Sequence, residues 1–455
     1  MTTVEEKETA REIIRKTRSV CPVCGQWVDG AVVQQGSRVY LERICAEHGE
    51  HRLLLSVNAG MYADLERFYF HILGHDAARG RITRYWVLAT AKCQAQCAYC
   101  SVGVQQPRYD EMTIDDFQKI FREFASLKLT LLGGEPTTHP LVFDFFRGAV
   151  EQGRPTELGT NGIRLADPDF CRRLCAAGVN WVRLSVDALT PVQTEFFDTG
   201  AQYDAKLRAL ENLEKQHVVT TLSPTIFRGV NENQLIAAVE YANAHPFIRD
   251  LSVNGFSWVG EGVGLPRDLM IMPDEMMDIL HQRFSHGPRE DLCTLQKWLW
   301  IGLRVMDIRI CLNTQLMIFV RDPGGPRPIT DFLDMAAMKR AVEWWKKLAR
   351  APRTLQIAAF LVVCVRSLNW RSRKLIVPLL RMFFSSIARR LRPFPSELIS
   401  VVLNTNCSLP SADTAVMQQC MCDVLYSKDG ALKKEMTSAF FIRGERERLA
   451  REGAA

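Results

Sequence analysis

Three cysteines within eight residues constrain this chain more than anything else in it. Cys93, Cys97 and Cys100 lie in Ala91–Cys100, AKCQAQCAYC, a C-x3-C-x2-C spacing with Tyr99 just before the last thiol. The run Trp86–Thr90 before them reads as a β-strand, so the thiols fall in a loop at a strand's carboxyl end. Soft thiolates suit iron, and three of them fill three corners of a cubane iron–sulfur cluster. The fourth iron is then left without a protein ligand and can bind a small molecule. Three plain thiols in a loop, or half of a zinc site, are the rival readings.

A second motif counts against those rivals. Leu131–Pro136 reads LLGGEP, a further strand followed by Gly133, Gly134, Glu135 and Pro136, about one βα unit downstream. Two glycines let backbone approach a ligand closely, and Glu135 offers negative charge to a cation. Either motif alone is weak; in order, at successive strand ends, they support each other.

From Arg84 onward short apolar strands alternate with amphipathic helices. Strands are expected near Trp86–Thr90, Lys128–Leu132, Thr156–Gly159, Trp181–Val186, Val218–Leu222 and Asp250–Asn254. Helices are expected near Ile114–Ser126, Leu141–Gln152, Pro168–Ala177, Asp204–Lys215, Glu232–Ala244 and Asp274–Phe284. Such repeats with right-handed crossovers predict an α/β fold, a parallel sheet curled into a partial (β/α)6 barrel. In barrels of this kind chemistry gathers at the carboxyl ends of the strands. Further strand ends carry Thr160 and Asn161 (in GTNG), Ser185 and Asp187 (in SVD), and Arg228 ahead of Asn231.

At 455 residues the chain is long enough for two or three domains. The expected division is a metal module at 1–80, the barrel at 81–290 and a mostly helical region at 291–455. Residues 1–18 read as a charged helix, followed by SVCPVCGQWVDG and RVYLERICAEHGEH. Cys21, Cys24, Cys45 and His48 form two knuckles that can close a tetrahedron around zinc or one iron. A module this small needs such a staple.

Fourteen cysteines in ligand-like groups, with a charged N-terminus lacking an apolar h-region, favour a reduced cytoplasmic setting over disulfides. Late in the chain Cys311, Cys407, Cys420 and Cys422 supply enough thiolates for an auxiliary 4Fe–4S cluster. Met338–Arg392 carries fourteen Lys or Arg residues and one acid, Glu343, among Trp, Phe, Leu and Ile. Its helices fit either a membrane interface, with Trp344, Trp345, Leu379, Met382 and Phe383 as the apolar face, or a lid on the barrel. Basic–aromatic interleaving is weak there, so a nucleic-acid partner is not expected.

The order CPVC, ICAEHGEH, C-x3-C-x2-C, GGEP, FRGVNENQ, PITDFLD and a late cysteine before Asp-Gly resembles one branch of the radical SAM superfamily. That branch includes the archaeal tetraether lipid synthase and a pterin C-methylating enzyme. The resemblance implies that Cys93, Cys97 and Cys100 hold a 4Fe–4S cluster whose open iron is chelated by S-adenosylmethionine. It implies that Gly133–Pro136, Thr160, Asn161, Ser185, Asp187 and Arg228 line the cofactor or substrate. It also implies electrons from a small flavodoxin- or ferredoxin-type protein. A lipid alkyl chain is the leading substrate expectation, with peripheral contact at the inner membrane face, and a soluble heterocycle such as a pterin is the alternative. One departure stands out: relatives follow the late Asp-Gly with a Pro-Phe-Cys-like segment, whereas Asp429-Gly430 leads into ALKKEM.

Overall fold

The computed structural model describes residues 11–73, 82, 84–103, 108–124, 128–190, 200–368, 375–377, 380 and 394–452. Its N-terminal part is a four-stranded antiparallel sheet in the order β1 (Arg11–Val20), β2 (Trp27–Gln35), β3 (Arg38–Cys45), β4 (Gly49–Ser56). The expected charged helix is therefore corrected over residues 11–18, which pair with β2 across a bulge near Ile14. The reason is tertiary. Ile13, Ile14, Thr17 and Val20 are β-branched, and Arg15 is fixed by ion pairs to Glu66 (2.9 Å) and Asp413 (2.6 Å).

The second sheet has twelve strands and is the frame of the protein. Six successive neighbours are the expected ones: β5 (Arg84–Thr90), β6 (Lys128–Gly133), β7 (Thr156–Thr160), β8 (Trp181–Leu184), β9 (Val219–Leu222) and β11 (Ile248–Gly255), all parallel. A two-residue strand, β10 (Thr225–Ile226), pairs with β11. Between them run helices at Ile114–Glu123, Val142–Glu151, Pro168–Ala176, Gly200–Lys215 and Glu232–Ala244, with another at Pro273–Phe284. Local chemistry sets their starts: Thr113 and Asp116 form a reciprocal capping box, and Asp167 caps a helix with Pro168 at its first position.

The C-terminal region joins this sheet at both edges, which its sequence did not disclose. On one side β14 (Leu398–Thr405) lies parallel to β11 and antiparallel to β12 (Gln315–Val320), which is edged by β13 (Arg327–Pro328). On the other, β15 (Cys422–Lys428) lies parallel to β5 and is edged by β16 (Ala431–Met436). Residues 406–421 thus run from β14 to β15, which flank the six core strands on opposite sides.

Helices Met335–Leu348 and Arg353–Ser367 pack on Arg289–Val305, where Trp298 meets Trp345 and Phe360. Trp345 is 2% exposed, so its expected place on a membrane face is corrected: the aromatic pairing buries it in the core. Trp344 is exposed. Leu379, Met382 and Phe383, and the helix expected around them, fall outside the described residues. Among the described residues no helix is long and apolar enough to cross a membrane.

Candidate active site

β5 delivers the cysteine loop and β6 the turn beneath it. Gly133 has φ +135°, and a Cβ there would lie 2.3 Å from the Thr90 carbonyl oxygen. A Cβ on Gly134 would lie 2.4 Å from that of Lys92. In the same place Gly134 N donates to Thr90 O (2.6 Å) and Glu135 N to Lys92 O (2.7 Å). The glycines are needed because this turn presses backbone against the backbone that leads into Cys93. This close approach is chain to chain, and both glycines also line the cavity described below.

Glu135, expected to face a cation, meets only protein donors among the described residues. Its side chain is completely buried. Oε1 accepts from Thr137 N (3.0 Å), Thr137 Oγ1 (2.5 Å) and Thr160 Oγ1 (2.7 Å), and Oε2 accepts from Asn161 N (2.7 Å). Burial raises its pKa, and these hydrogen bonds oppose the rise. Glu135 is a staple between the β6 turn and the end of β7. The staple reaches the thiols through Asn161, whose Nδ2 donates to Cys93 Sγ (3.8 Å).

At the end of β8, Asp187 gathers three neighbours. Oδ2 accepts from Tyr99 Oη (2.6 Å) and faces Lys206 Nζ (3.8 Å), while Oδ1 accepts from Thr225 N (2.7 Å). Tyr99 also meets Phe227 edge-on at 5.2 Å between centroids. The aromatic of the cysteine motif is thus tied to the fourth and fifth strands of the barrel.

One cavity of 370 Å³ unites these parts. Its wall includes Cys93, Cys97, Cys100, Gly133, Gly134, Thr160, Asn161, Ser185 and Asp187, and equally Cys311, Cys407, Cys420 and Cys422. Three expected residues are not on it. Glu135 and Pro136 are buried and absent from its lining. Arg228 is drawn outward to Glu275, through Nε (3.2 Å) and Nη2 (2.5 Å). Sequence reasoning missed Lys206, Ser223, Thr225, Asn254, Arg84 and Arg183, which do line it. A readable signal existed for Arg183, a lone charge inside the otherwise apolar strand WVRL.

The second cysteine set comes from opposite edges of the sheet. Cys311 precedes β12 and Cys407 follows β14, whereas Cys420 and Cys422 stand at the start of β15. Burial raises the Cys311 thiol to about 12, with Cys420 and Cys422 adding to the rise, and also pushes the Cys407 thiol well up.

At the N-terminus, ligand atoms of Cys21, Cys24, Cys45 and His48 all lie within 4.8 Å of one another. Cys24 Sγ is 3.9 Å from Cys45 Sγ, and Cys45 Sγ is 3.5 Å from His48 Nδ1, a contact that lowers the Cys45 thiol to about 6. Arg43, 3% exposed, has Nε and Nη1 without a hydrogen-bond partner, and its field bears on Cys21. Three thiolates on a divalent ion carry net negative charge, which a buried guanidinium offsets. Cys24→Ser in the full chain is expected to remove about one metal equivalent, read by elemental analysis. Metal content equal to wild type would refute this site.

Residues 87–242 match the model of the radical SAM superfamily, and residues 13–56 match that of the HMPTM N-terminal zinc ribbon domain. Residues 87–242 are thus recognised as a radical SAM superfamily domain. Among its relatives is 7,8-dihydro-6-hydroxymethylpterin dimethyltransferase of Methanocaldococcus jannaschii, 21% identical over 367 residues that cover 72% of each chain. Molybdenum cofactor biosynthesis protein 1 of Mus musculus is 29% identical over 221 residues, 45% of this chain and 33% of that one. AdoMet-dependent heme synthase of Methanosarcina barkeri is 31% identical over 146 residues, 31% of this chain and 41% of that one. The chain thus spans most of the first relative but less than half of the other two.

The domain match implies a 4Fe–4S cluster and S-adenosylmethionine, and the ribbon suggests a second metal site. The donors fit. Among the described residues, only the ribbon's ligands converge within 4.8 Å as one ion requires. Cys93, Cys97 and Cys100 share a cavity wall without converging that far, as ligands on different irons of a cluster do.

Proposed function

We propose that this radical SAM enzyme modifies a soluble heterocycle of the pterin class. The observation that carries the reading is the alignment with the pterin dimethyltransferase over 72% of both chains, beside the separate match of residues 13–56 to the HMPTM zinc ribbon model. Arginine, lysine, aspartate, asparagine and hydroxyl side chains on the cavity wall support it, since a ring rich in N–H and C=O groups needs such partners.

In this reading Cys93, Cys97 and Cys100 would hold the 4Fe–4S cluster and the ribbon would hold zinc. When bound with S-adenosylmethionine, the cluster supplies a 5′-deoxyadenosyl radical that takes hydrogen from an unactivated C–H bond. Asn161 orients the Cys93 sulfur. The Gly133–Gly134 turn fixes the cysteine loop from below. Asp187, steadied by Tyr99 and Thr225, and Lys206 present charge to a nucleoside or ring. Cys311, Cys407, Cys420 and Cys422 would hold an auxiliary 4Fe–4S cluster where residues 406–421 cross between β14 and β15. A small flavodoxin- or ferredoxin-type protein would supply electrons. The three-part division at residues 80 and 290 is proposed with it.

The lipid reading has one observation in its favour: Leu355, Val362 and Val365 are exposed on the helix at Arg353–Ser367. Peripheral membrane contact belongs to that reading. Anaerobic assays of 5′-deoxyadenosine with the reconstituted enzyme separate the two. A reduced 6-hydroxymethylpterin is expected to speed its formation about tenfold or more, equivalent to about 1.4 kcal/mol of barrier. Acceleration by membrane lipid and none by the pterin would overturn the proposal.

A further inference from the structure

The floor of the cavity holds a cluster of charges that neither the cysteine motif nor the comparisons account for. Lys128 opens β6, Glu157 lies in β7, Arg183 in β8 and Arg84 at the start of β5. Glu157 is completely buried and its acceptor capacity is taken up internally. Oε1 accepts from Lys128 Nζ (2.8 Å), and Oε2 accepts from Thr130 Oγ1 (2.9 Å) and Arg183 Nε (3.3 Å). Arg84 Nη1 stands 3.6 Å from Oε2, inside ion-pair range but beyond a hydrogen bond. Three cations therefore share one carboxylate.

Their placement relative to the cavity matters more than their number. Lys128 and Glu157 are sealed away, with side chains 2% and 0% exposed. Arg84 and Arg183 keep 24% and 13% exposure, and both line the cavity. The second carboxylate nearby, Asp250, is also absent from the wall. What the cavity sees at this end is two guanidiniums with their counter-charge behind them. At the other end Asp187 and Lys206 face each other, so no comparable excess arises there.

The seven-residue strand Arg84–Thr90 separates this floor from the start of the cysteine loop, roughly 20 Å along the strand. Trp86 and Leu88 line the wall between. A ligand reaching from one end toward the other would lay an apolar or aromatic body along β5.

We propose that the substrate is an anion, and that Arg84 and Arg183 take its carboxylate or phosphate at the cavity floor. This rests on the reading that the cavity is where substrate binds. Guanidinium pairs match planar and tetrahedral oxyanions through two parallel N–H donors, and a site of low dielectric strengthens the contact. The anchor fixes one end of the molecule, so the carbon held toward the cysteine loop is set by ligand length.

The test uses the anaerobically reconstituted full-length protein and three probes, inorganic phosphate, inorganic pyrophosphate and malonate, titrated by calorimetry. Saturable binding of at least one probe is expected, weakened about tenfold or more by Arg84→Gln and by Arg183→Gln. Arg84→Lys should recover part of it, and Lys433→Gln, an exposed change on β16, should leave it unaltered. A phosphate-type preference over malonate identifies a phosphate ester, and the reverse a carboxylate. If Arg183→Gln does not fold, Arg84→Gln carries the test alone, because Arg84 makes no hydrogen bond to Glu157. Absence of saturable binding by folded, iron-loaded protein, or binding equal in wild type and both Gln variants, overturns the proposal. Anion binding that depends on Arg84 without any response of 5′-deoxyadenosine formation to pterins would instead overturn the pterin reading and leave this one standing.

Discussion

The Cys93→Ala/Cys97→Ala/Cys100→Ala protein is expected to form no 5′-deoxyadenosine above background. It should also lose about four irons per chain, the content of one cubane. The ribbon metal should remain, because its four ligands belong to a separate sheet and use none of these thiols. That selectivity distinguishes ligand loss from collapse: a misfolded chain would shed both metals. Asn161→Ala makes a graded companion. It removes the donor to Cys93 Sγ but not the thiol, and Asn161 takes up Glu135 through its backbone N–H, which alanine keeps. Iron should be retained while the cluster's reduction potential and rate shift, since hydrogen bonds to cluster sulfurs tune it. Undiminished 5′-deoxyadenosine in the triple variant would falsify the assignment of this loop.

What the sequence disclosed depended on whether a residue's partner was near in the chain. The cysteine loop, the β6 turn and the six core strands obey local rules of spacing and alternation, and all were legible. So was the ribbon, since its knuckles carry their own spacing. The hydrogen-bond partners of Glu135 were not, because Thr160 and Asn161 lie one βα unit away and only the fold shows that it is buried against them. The ion pair of Arg228 was hidden for the same reason, its partner Glu275 being 47 positions downstream. The flanking strands β14 and β15 were hidden because their pairing is with β11 and β5, far back in sequence. Lys128, Glu157 and Arg183 were visible as charges inside short strands. What could not be seen was that they face one another.

Replacing Glu157 by Gln is expected to destabilise the protein by about 3–5 kcal/mol, the cost of leaving buried charge without its partner. The change keeps volume and one acceptor oxygen, so packing is not the cause. It leaves Lys128, Arg84 and Arg183 around a neutral group, with Lys128 also held 3.5 Å over the Trp181 ring. For a barrel of this size that corresponds to a fall of roughly 6–20 °C in apparent Tm. Adding Lys128→Met should restore part of the loss, because one uncompensated cation goes with it. The pH dependence has a defined sign. Burial alone would raise the Glu157 carboxyl, but the fields of Arg183, Lys128 and Arg84 outweigh it and hold the group well below the usual range. A depressed native pKa gives stability that is complete above the ordinary glutamate value of about 4.3 and lost as pH falls through the native one. The gap in Tm between wild type and Glu157→Gln should therefore be full at neutral pH and narrow in acid. A variant that melts within about 1 °C of wild type at neutral pH would show that the three cations do not depend on Glu157. The charge excess assigned to the cavity floor would then have to be discarded with it.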